Sequence, residues 1–219
     1  EVRDRESTMT NMVADMFKDT LGKDDPNFIG LQNPGGTRAS LLDKDITYKQ
    51  AAQVLPFANT LTTTRITGAQ FKKVLEQQWQ RAGTARSRHV TYLQLGVSSN
   101  VTYTYDESRK EGERITSVWV NDKPIDPKGT YSVGSGSFLI AGRDNFTELA
   151  KGSKPVDSGK INLSAWVDWI KARKTLKPDF AKRAVSLTTS LHEGTSRDTT
   201  FTLGKPADKA VAPDTVDFT

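Results

Sequence analysis

The segment spanning residues 31–59 constrains this chain more than any other stretch. A loop with the sequence Asn-Pro-Gly-Gly-Thr-Arg occupies residues 33–38, directly after a short apolar run. Its glycines permit positive φ angles and let a ligand approach the backbone closely, while Arg38 can reach an anion or a hydroxyl. Phe57 is fixed behind a proline and offers a rigid, flat surface. The segment therefore predicts a pocket for a flat ligand that carries polar groups.

The composition narrows the class of ligand. The chain has 219 residues, of which 35% are hydrophobic, and a mean hydropathy of −0.56. Its 31 Lys and Arg residues exceed its 26 Asp and Glu residues, which gives a net charge of +5, but they are scattered along the sequence. Binding of a nucleic-acid polymer needs a basic patch, so attraction of small anions is the better prediction. No apolar run is long enough to span a bilayer.

Candidate catalytic residues and metal ligands are scarce in the sequence. The absence of cysteine excludes disulfides and Cys-bound metals. His89 and His192 stand in polar loops without a partner at metal-ligand spacing, and we expect both to be solvated. Composition leaves a Ser-His-Asp arrangement open, but the nucleophile-elbow pattern is missing. We therefore expect this chain to bind no metal or cofactor, to supply no catalytic residue, and to function by binding.

Helical and strand patterns alternate irregularly, which favours an α+β fold with helices packed on one mixed sheet. A Met-rich apolar stripe predicts a helix from Ser7 or Thr8 to Gly22, and a capping box at residues 67–70 predicts another that ends near Gly83. Further helices are predicted at residues 48–54, from 146–150, and at 163–174 with Asn162 as cap. Strands are predicted at residues 60–66, 91–95, 101–105, 115–120 and 130–134, and a hairpin at 184–189 and 199–203.

Two phenylalanines outside the periodic apolar runs suggest how a flat ligand could be held. Phe57 and Phe138 each lie in a turn-rich segment near Gly or Pro. Two rings on opposite faces of a base would form a stacking clamp, in which each ring contributes roughly 1–3 kcal/mol. Composition alone leaves open the alternative that both rings belong to the core.

Five motifs, in order, resemble the C-terminal domain of secreted 5′-nucleotidases and UDP-sugar hydrolases. They are Arg5-Glu6 with Asn11, the loop at 33–38, the Val-Leu-Pro-Phe-Ala-Asn run at 54–59, Thr67-Gly68, and Phe138 with Asp144. The resemblance covers residues 5–176 and implies that family's α+β fold, a mixed sheet packed with helices. In the family this domain grips the nucleoside, while an N-terminal metallophosphoesterase domain holds two divalent metals and performs the hydrolysis. We therefore expect a phosphohydrolase as the parent and no activity from this segment alone.

The resemblance implies a role for each site residue. Phe57 and Phe138 would stack on the base. Asn33 would bond the base edge, and Asp144 would accept hydrogen bonds from the ribose hydroxyls, where an ionised acceptor bonds strongly.

Four further residues complete the implied site. Arg5 and Arg38 would reach ribose and phosphate oxygens. Asn59 would support the pocket or touch the base, and Gly96 would bring the backbone close to the ligand.

The chain departs from the family pattern at two places. It reads Gly142-Arg-Asp-Asn145 where relatives often read Gly-Gly-Asp-Gly, and it has Pro34 where glycine is common. If the turn needs a positive φ at Arg143 or Asn145, asparagine tolerates that better than arginine. Arg143 could crowd the pocket or add a cation beside a phosphate. An alternative function is therefore a surface or interaction module that keeps the fold without the ligand, and a third is a related hydrolase acting on a non-nucleotide such as a thiosulfate carrier.

The sequence also suggests a domain organisation. We expect a nucleotidase C-terminal substrate-binding domain at residues 1–176, a β extension of that domain at 177–204, and a linker or tail at 205–219. The abrupt start at Glu1 indicates an excised piece of a longer chain. A glycosylation pattern at Asn145 falls inside the expected pocket, which favours an unglycosylated bacterial protein that is secreted, surface-bound or periplasmic.

Overall fold

The computed structural model describes residues 2–42, 45–80, 91–191 and 199–203. The α-helices of the described part are α1 Thr8–Leu21, α2 Tyr48–Val54, α3 Gly68–Glu76, α4 Ser137–Ile140 and α5 Asn162–Arg173. Short 3₁₀ turns occupy Pro34–Gly36, Arg143–Asn145 and Leu149–Lys151. The strands are β1 Ile29–Gln32, β2 Thr60–Thr67, β3 Gly96–Val97, β4 Val101–Tyr105, β5 Ile115–Val120, β6 Lys123–Pro124, β7 Thr130–Gly136, β8 Ser153–Ile161, β9 Ala184–Leu191 and β10 Thr199–Leu203.

The strands form two five-stranded sheets with the orders β3-β1-β7-β2-β8 and β10-β9-β4-β5-β6. Both sheets are mixed, because β1 runs parallel to β7 and β4 runs parallel to β9 while their other pairs are antiparallel. The α+β class predicted from the sequence is confirmed. The prediction of one sheet is wrong, because alternation along a strand identifies its buried face and not its neighbour.

Two hydrophobic clusters hold these layers together. One joins α1, α2 and α5 around Leu61 of β2, with Trp166 fully buried. The other combines α3 with residues of both sheets, including Ile29 of β1 and Val118 of β5. The loops that follow β1, α2 and β7 therefore start from well-packed elements.

Helix α1 forms as its sequence predicts. The Ser7 hydroxyl accepts a hydrogen bond from the Thr10 N–H at 3.3 Å and caps the first turn. Val13, Met16 and Phe17 of the apolar stripe are fully buried, and Met9, Met12 and Leu21 are partly buried against the same cluster. The Gly22 N–H donates to the Lys18 carbonyl at 2.8 Å and ends the helix.

Helix α3 begins with the predicted capping box but ends at Glu76 rather than near Gly83, which lies outside the described residues. The predicted strand at 91–95 is also wrong, apart from a single bridge between Trp79 and Tyr92. The backbone N–H groups of this segment find hydrogen-bond acceptors outside a strand. Leu93 N–H donates to the Gln78 carbonyl and Leu95 N–H donates to the Gln78 side chain, both at 2.8 Å.

Three other differences concern local boundaries. The helix predicted from residue 146 is reduced to the 3₁₀ turn Leu149–Lys151. Helix α5 starts at Asn162 itself, with Ile161 in the cap position. Strand β8 was not predicted, because it is polar, bulged and exposed along almost its whole length, and it lacks an alternating apolar pattern.

The predicted hairpin of β9 and β10 is confirmed, and a buried ionic network fastens it to α1. Arg183, 3% exposed, donates to both Asp15 oxygens at 3.0 and 2.8 Å and to the Val97 carbonyl at 2.7 Å. The Glu6 carboxylate accepts from the backbone N–H groups of Arg183 and Ala184 at 2.8 and 3.3 Å. Burial raises the pKa of Glu6, although these hydrogen bonds oppose the shift. The tail at 205–219 lies outside the described residues.

Candidate ligand-binding cavity

An open cavity of about 270 Å³ lies where the loops after β1, α2 and β7 meet. It is lined by Arg3, Asn33, Gly35, Gly36, Arg38, Phe57, Asn59, Phe138 and Asp144. The structure thus gathers every predicted site residue except Arg5 and Gly96. Residues separated by more than a hundred positions, such as Asn33 and Asp144, are in direct contact there.

The two predicted clamp rings both reach this cavity and both remain accessible. Phe57 is 47% exposed and Phe138 is 39% exposed, so neither is an ordinary core residue. Phe57 follows the end of α2, and Phe138 is the second residue of α4. An exposed aromatic ring that lines a cavity is available to stack on a planar ligand.

The loop at residues 33–38 is tied to α2 at its C-terminal end and is closed by a hydrogen bond within the loop. The Arg38 N–H donates to the Val54 carbonyl at 2.9 Å, which ties the loop to α2, and the Gly36 N–H donates to the Asn33 carbonyl at 3.0 Å. Neither glycine of this loop has a positive φ, so that expectation is wrong. At Gly36 a Cβ would lie 2.6 Å from the side-chain amide nitrogen of Gln32, so any larger residue there would have to displace that side chain.

Asp144 lies on a turn with an unusual backbone. Gly142, Asp144 and Asn145 have φ angles of 77°, 57° and 65°, so the positive φ falls on Asn145 and not on Arg143. Asn and Asp tolerate this conformation better than most residues, so asparagine fits the turn at position 145. Arg143 is exposed and does not line the cavity, so it does not crowd the site.

Asp144 is held from two sides, at its carboxylate and at its backbone carbonyl. Asn33 donates from Nδ2 to Asp144 Oδ2 at 2.9 Å, which uses one of the amide protons that we had expected at the base edge. On the other side, Gln80 donates from Nε2 to the Asp144 backbone carbonyl at 3.3 Å and accepts from Asn145 Nδ2 at 2.8 Å. Sequence reasoning missed Gln80, because nothing local distinguishes it from the other glutamines at the end of α3.

The predictions for Arg5 and Gly96 need correction. Arg3, not Arg5, lines the cavity, where its guanidinium carbon lies 3.7 Å from the position of a Cβ on Gly35. Arg5 instead lines a separate cavity with Trp79 and Tyr105. Two arginines this close in sequence are equivalent candidates until the direction of each side chain is known.

Gly96 is required by packing rather than by a ligand. It lies in β3, and a Cβ there would approach the backbone carbonyl of Thr10 in α1 to 2.6 Å. The absence of a side chain lets the helix lie close against the strand.

The charges of the cavity favour an anionic ligand. Two guanidinium groups, Arg3 and Arg38, stand with a single carboxylate, Asp144. Arginine matches the geometry of phosphate oxygens, and a carboxylate accepts hydrogen bonds from hydroxyls.

The described residues contain no cluster of three or more His, Cys, Asp or Glu side chains able to hold a metal ion. His89 and His192 lie outside these residues, so the expectation that both are solvated stays a prediction. None of the described helices is long and apolar enough to cross a bilayer.

Fold and cavity together are those of a substrate-binding type of domain, in which two exposed phenylalanine rings lie beside groups suited to hydroxyls and anions. The family model described as "5′-nucleotidase, C-terminal domain" matches residues 1–151. The chain therefore belongs to the 5′-nucleotidase C-terminal-domain family, as the motifs predicted.

Individual relatives agree with this membership. The chain is 33% identical over 158 residues to a 5′-nucleotidase-related protein of Glossina morsitans morsitans, covering 68% of this chain and 28% of the relative. It is 31% identical over 151 residues to the NAD 5′-nucleotidase of Haemophilus influenzae, covering 66% and 24%. The crystal structure of a 5′-nucleotidase precursor from Thermus thermophilus matches with a TM-score of 0.73 and 31% identity, covering 85% of this chain and 36% of that one. The chain thus spans about a quarter to a third of the length of these relatives.

Proposed function

We propose that this chain is the nucleoside- or nucleotide-binding domain of a 5′-nucleotidase-type phosphohydrolase. The base would lie between Phe57 and Phe138, and the ribose hydroxyls would donate to Asp144. The observation that carries the proposal is that both rings are exposed on one cavity that also holds Asp144. A core role for the rings would have buried them.

The remaining residues of the cavity suit the rest of a nucleotide. Arg38 and Arg3 would approach ribose and phosphate oxygens. Arg3 replaces Arg5 in this role, because Arg3 lines the cavity and Arg5 does not. Asn59 contributes an amide that can contact the base or support Phe138, since it lies against Gly136 just before α4. Asn33 would act mainly by orienting Asp144.

Hydrolysis would be performed elsewhere in the parent protein. We assign it to an N-terminal metallophosphoesterase domain with two divalent metals, towards which the phosphate would project. That domain would be this chain's main protein partner. A secreted, surface-bound or periplasmic location in a bacterium completes the proposal, because extracellular nucleotides would be the substrates.

Isothermal titration calorimetry on the 219-residue chain tests the binding function. We expect adenosine and AMP to bind weakly, and ribose 5-phosphate to bind much more weakly because it has no base to stack. We also expect no phosphate release from AMP by this chain with added Mg²⁺, Mn²⁺ or Zn²⁺. Equal affinity for AMP and ribose 5-phosphate would rule out the clamp, and no binding of any nucleoside would favour the module that has lost its ligand.

A further inference from the structure

The turn that carries Asp144 is supported by a residue that does not line the cavity. Gln80 is 8% exposed and bonds the turn through both ends of its side-chain amide. Its Nε2 donates to the Asp144 carbonyl at 3.3 Å, and its Oε1 accepts from Asn145 Nδ2 at 2.8 Å. Gln80 therefore contacts the backbone and the neighbour of Asp144 while remaining outside the ligand space.

The backbone of this turn needs outside support. Asp144 and Asn145 are consecutive non-glycine residues with φ angles of 57° and 65°, next to Gly142 at 77°. Such conformations are sparsely populated and persist when the surrounding structure enforces them. A small relaxation of either residue would swing the Asp144 carboxylate out of its present position.

Gln80 is itself held by hydrogen bonds to its neighbours, so its side chain is a fixed partner for the turn. Its backbone N–H donates to the Thr91 carbonyl at 2.9 Å, and its Nε2 also donates to the Gln77 carbonyl at 3.0 Å. Gln77 follows the last residue of α3, whose apolar face is part of the core. The support of the turn thus extends back to the buried face of that helix.

We propose that Gln80 is a positioning residue that orients the Asp144 carboxylate for the ribose hydroxyls. The inference rests on the proposed nucleoside-binding function. Asn33 fixes one oxygen of the carboxylate directly, and Gln80 fixes the backbone on which the carboxylate is carried. The specificity of the cavity for ribose would then depend on a side chain that touches no ligand atom.

The test compares two nucleosides on the 219-residue chain. Gln80→Leu has a similar volume and removes both hydrogen bonds to the turn, together with the bond to the Gln77 carbonyl. We expect the dissociation constant for adenosine to rise roughly tenfold, because a hydrogen bond to a charged acceptor is misaligned. The dissociation constant for 2′,3′-dideoxyadenosine, which lacks both hydroxyls, should stay nearly unchanged. Calorimetry gives both values, and thermal unfolding checks that the variant is folded.

A mutant cycle separates positioning from general destabilisation. In an Asp144→Asn background the carboxylate is gone, so adding Gln80→Leu should change adenosine affinity little further. Gln77→Leu is the matched control, because it removes bonds to Thr147 and Glu148 farther along the same segment and should leave both affinities unchanged. Asn145→Gly is a milder variant that loses the bond to Gln80 while accepting the positive φ, and it should lower adenosine affinity in the same selective way.

The binding measurements distinguish failure of the proposed function from failure of the positioning role of Gln80. If the unaltered chain binds no adenosine, the proposed function fails and this inference fails with it. If the unaltered chain binds adenosine and Gln80→Leu binds it equally well, only the positioning role is overturned. An equal loss for adenosine and the dideoxy nucleoside would also overturn it, because the effect would not pass through the ribose.

Discussion

Truncating Phe57 is expected to weaken ligand binding strongly while changing the stability of the fold only modestly. The ring is 47% exposed without ligand, so about half of its area already faces water. Full burial of such a side chain stabilises a protein by about 1.5–3 kcal/mol, and Phe57→Ala should therefore cost about 1 kcal/mol. For a chain of this size that corresponds to a fall in Tm of about 2–4 °C.

The same change should weaken nucleoside binding far more noticeably. One lost stacking contact costs roughly 1–3 kcal/mol, which raises the dissociation constant by roughly 5- to 150-fold. Phe138→Ala should give a loss of the same order, because its ring is 39% exposed on the same cavity. Titration calorimetry with adenosine, paired with thermal unfolding of each variant, provides both numbers.

Phe180 provides the matched control. It is 38% exposed and does not line the cavity, so Phe180→Ala should lower Tm by a similar amount and leave adenosine affinity unchanged. The reasoning is refuted if Phe57→Ala and Phe138→Ala both bind adenosine as tightly as the unaltered chain. It is equally refuted if Phe180→Ala weakens binding as much as they do.

Three further predictions concern the frame of the site. Because burial raises the pKa of Glu6, the contribution of Glu6 to stability is greatest at low pH and falls as pH rises through that raised pKa. In urea titrations, the unfolding free energy of Glu6→Gln should therefore improve relative to that of the unaltered chain between pH 4 and pH 8. A difference that stays constant with pH would contradict this. Gly96→Ala should cost about 1–3 kcal/mol, because its Cβ would meet the Thr10 backbone at 2.6 Å, whereas Gly35→Ala, whose nearest atoms would be 3.7 Å away, should change stability little in the same assay. Arg183→Met should destabilise the fold by about 3–5 kcal/mol, since it leaves the partly buried Asp15 without its cation; chemical denaturation with an unchanged midpoint would show that the network is dispensable.

The sequence by itself determined what depends on neighbours along the chain. Several elements depend only on residues a few positions apart. They are the Ser7 cap and apolar stripe of α1, the capping box before α3, and the hairpin of β9 and β10. Local capping and periodicity have few alternative solutions, which is why these elements were predicted nearly residue by residue. Motif order then identified the family and most of the residues that line the cavity.

The tertiary structure decided what depends on direction and distant partners. It selected Arg3 over Arg5, assigned Gly96 to helix packing, divided the strands between two sheets and added the polar strand β8. It also brought Gln80 to the turn of Asp144 across 64 positions of chain. A side chain's direction and a strand's neighbour are set by the packing of the whole domain, because each is the outcome of many weak contacts that no single segment encodes.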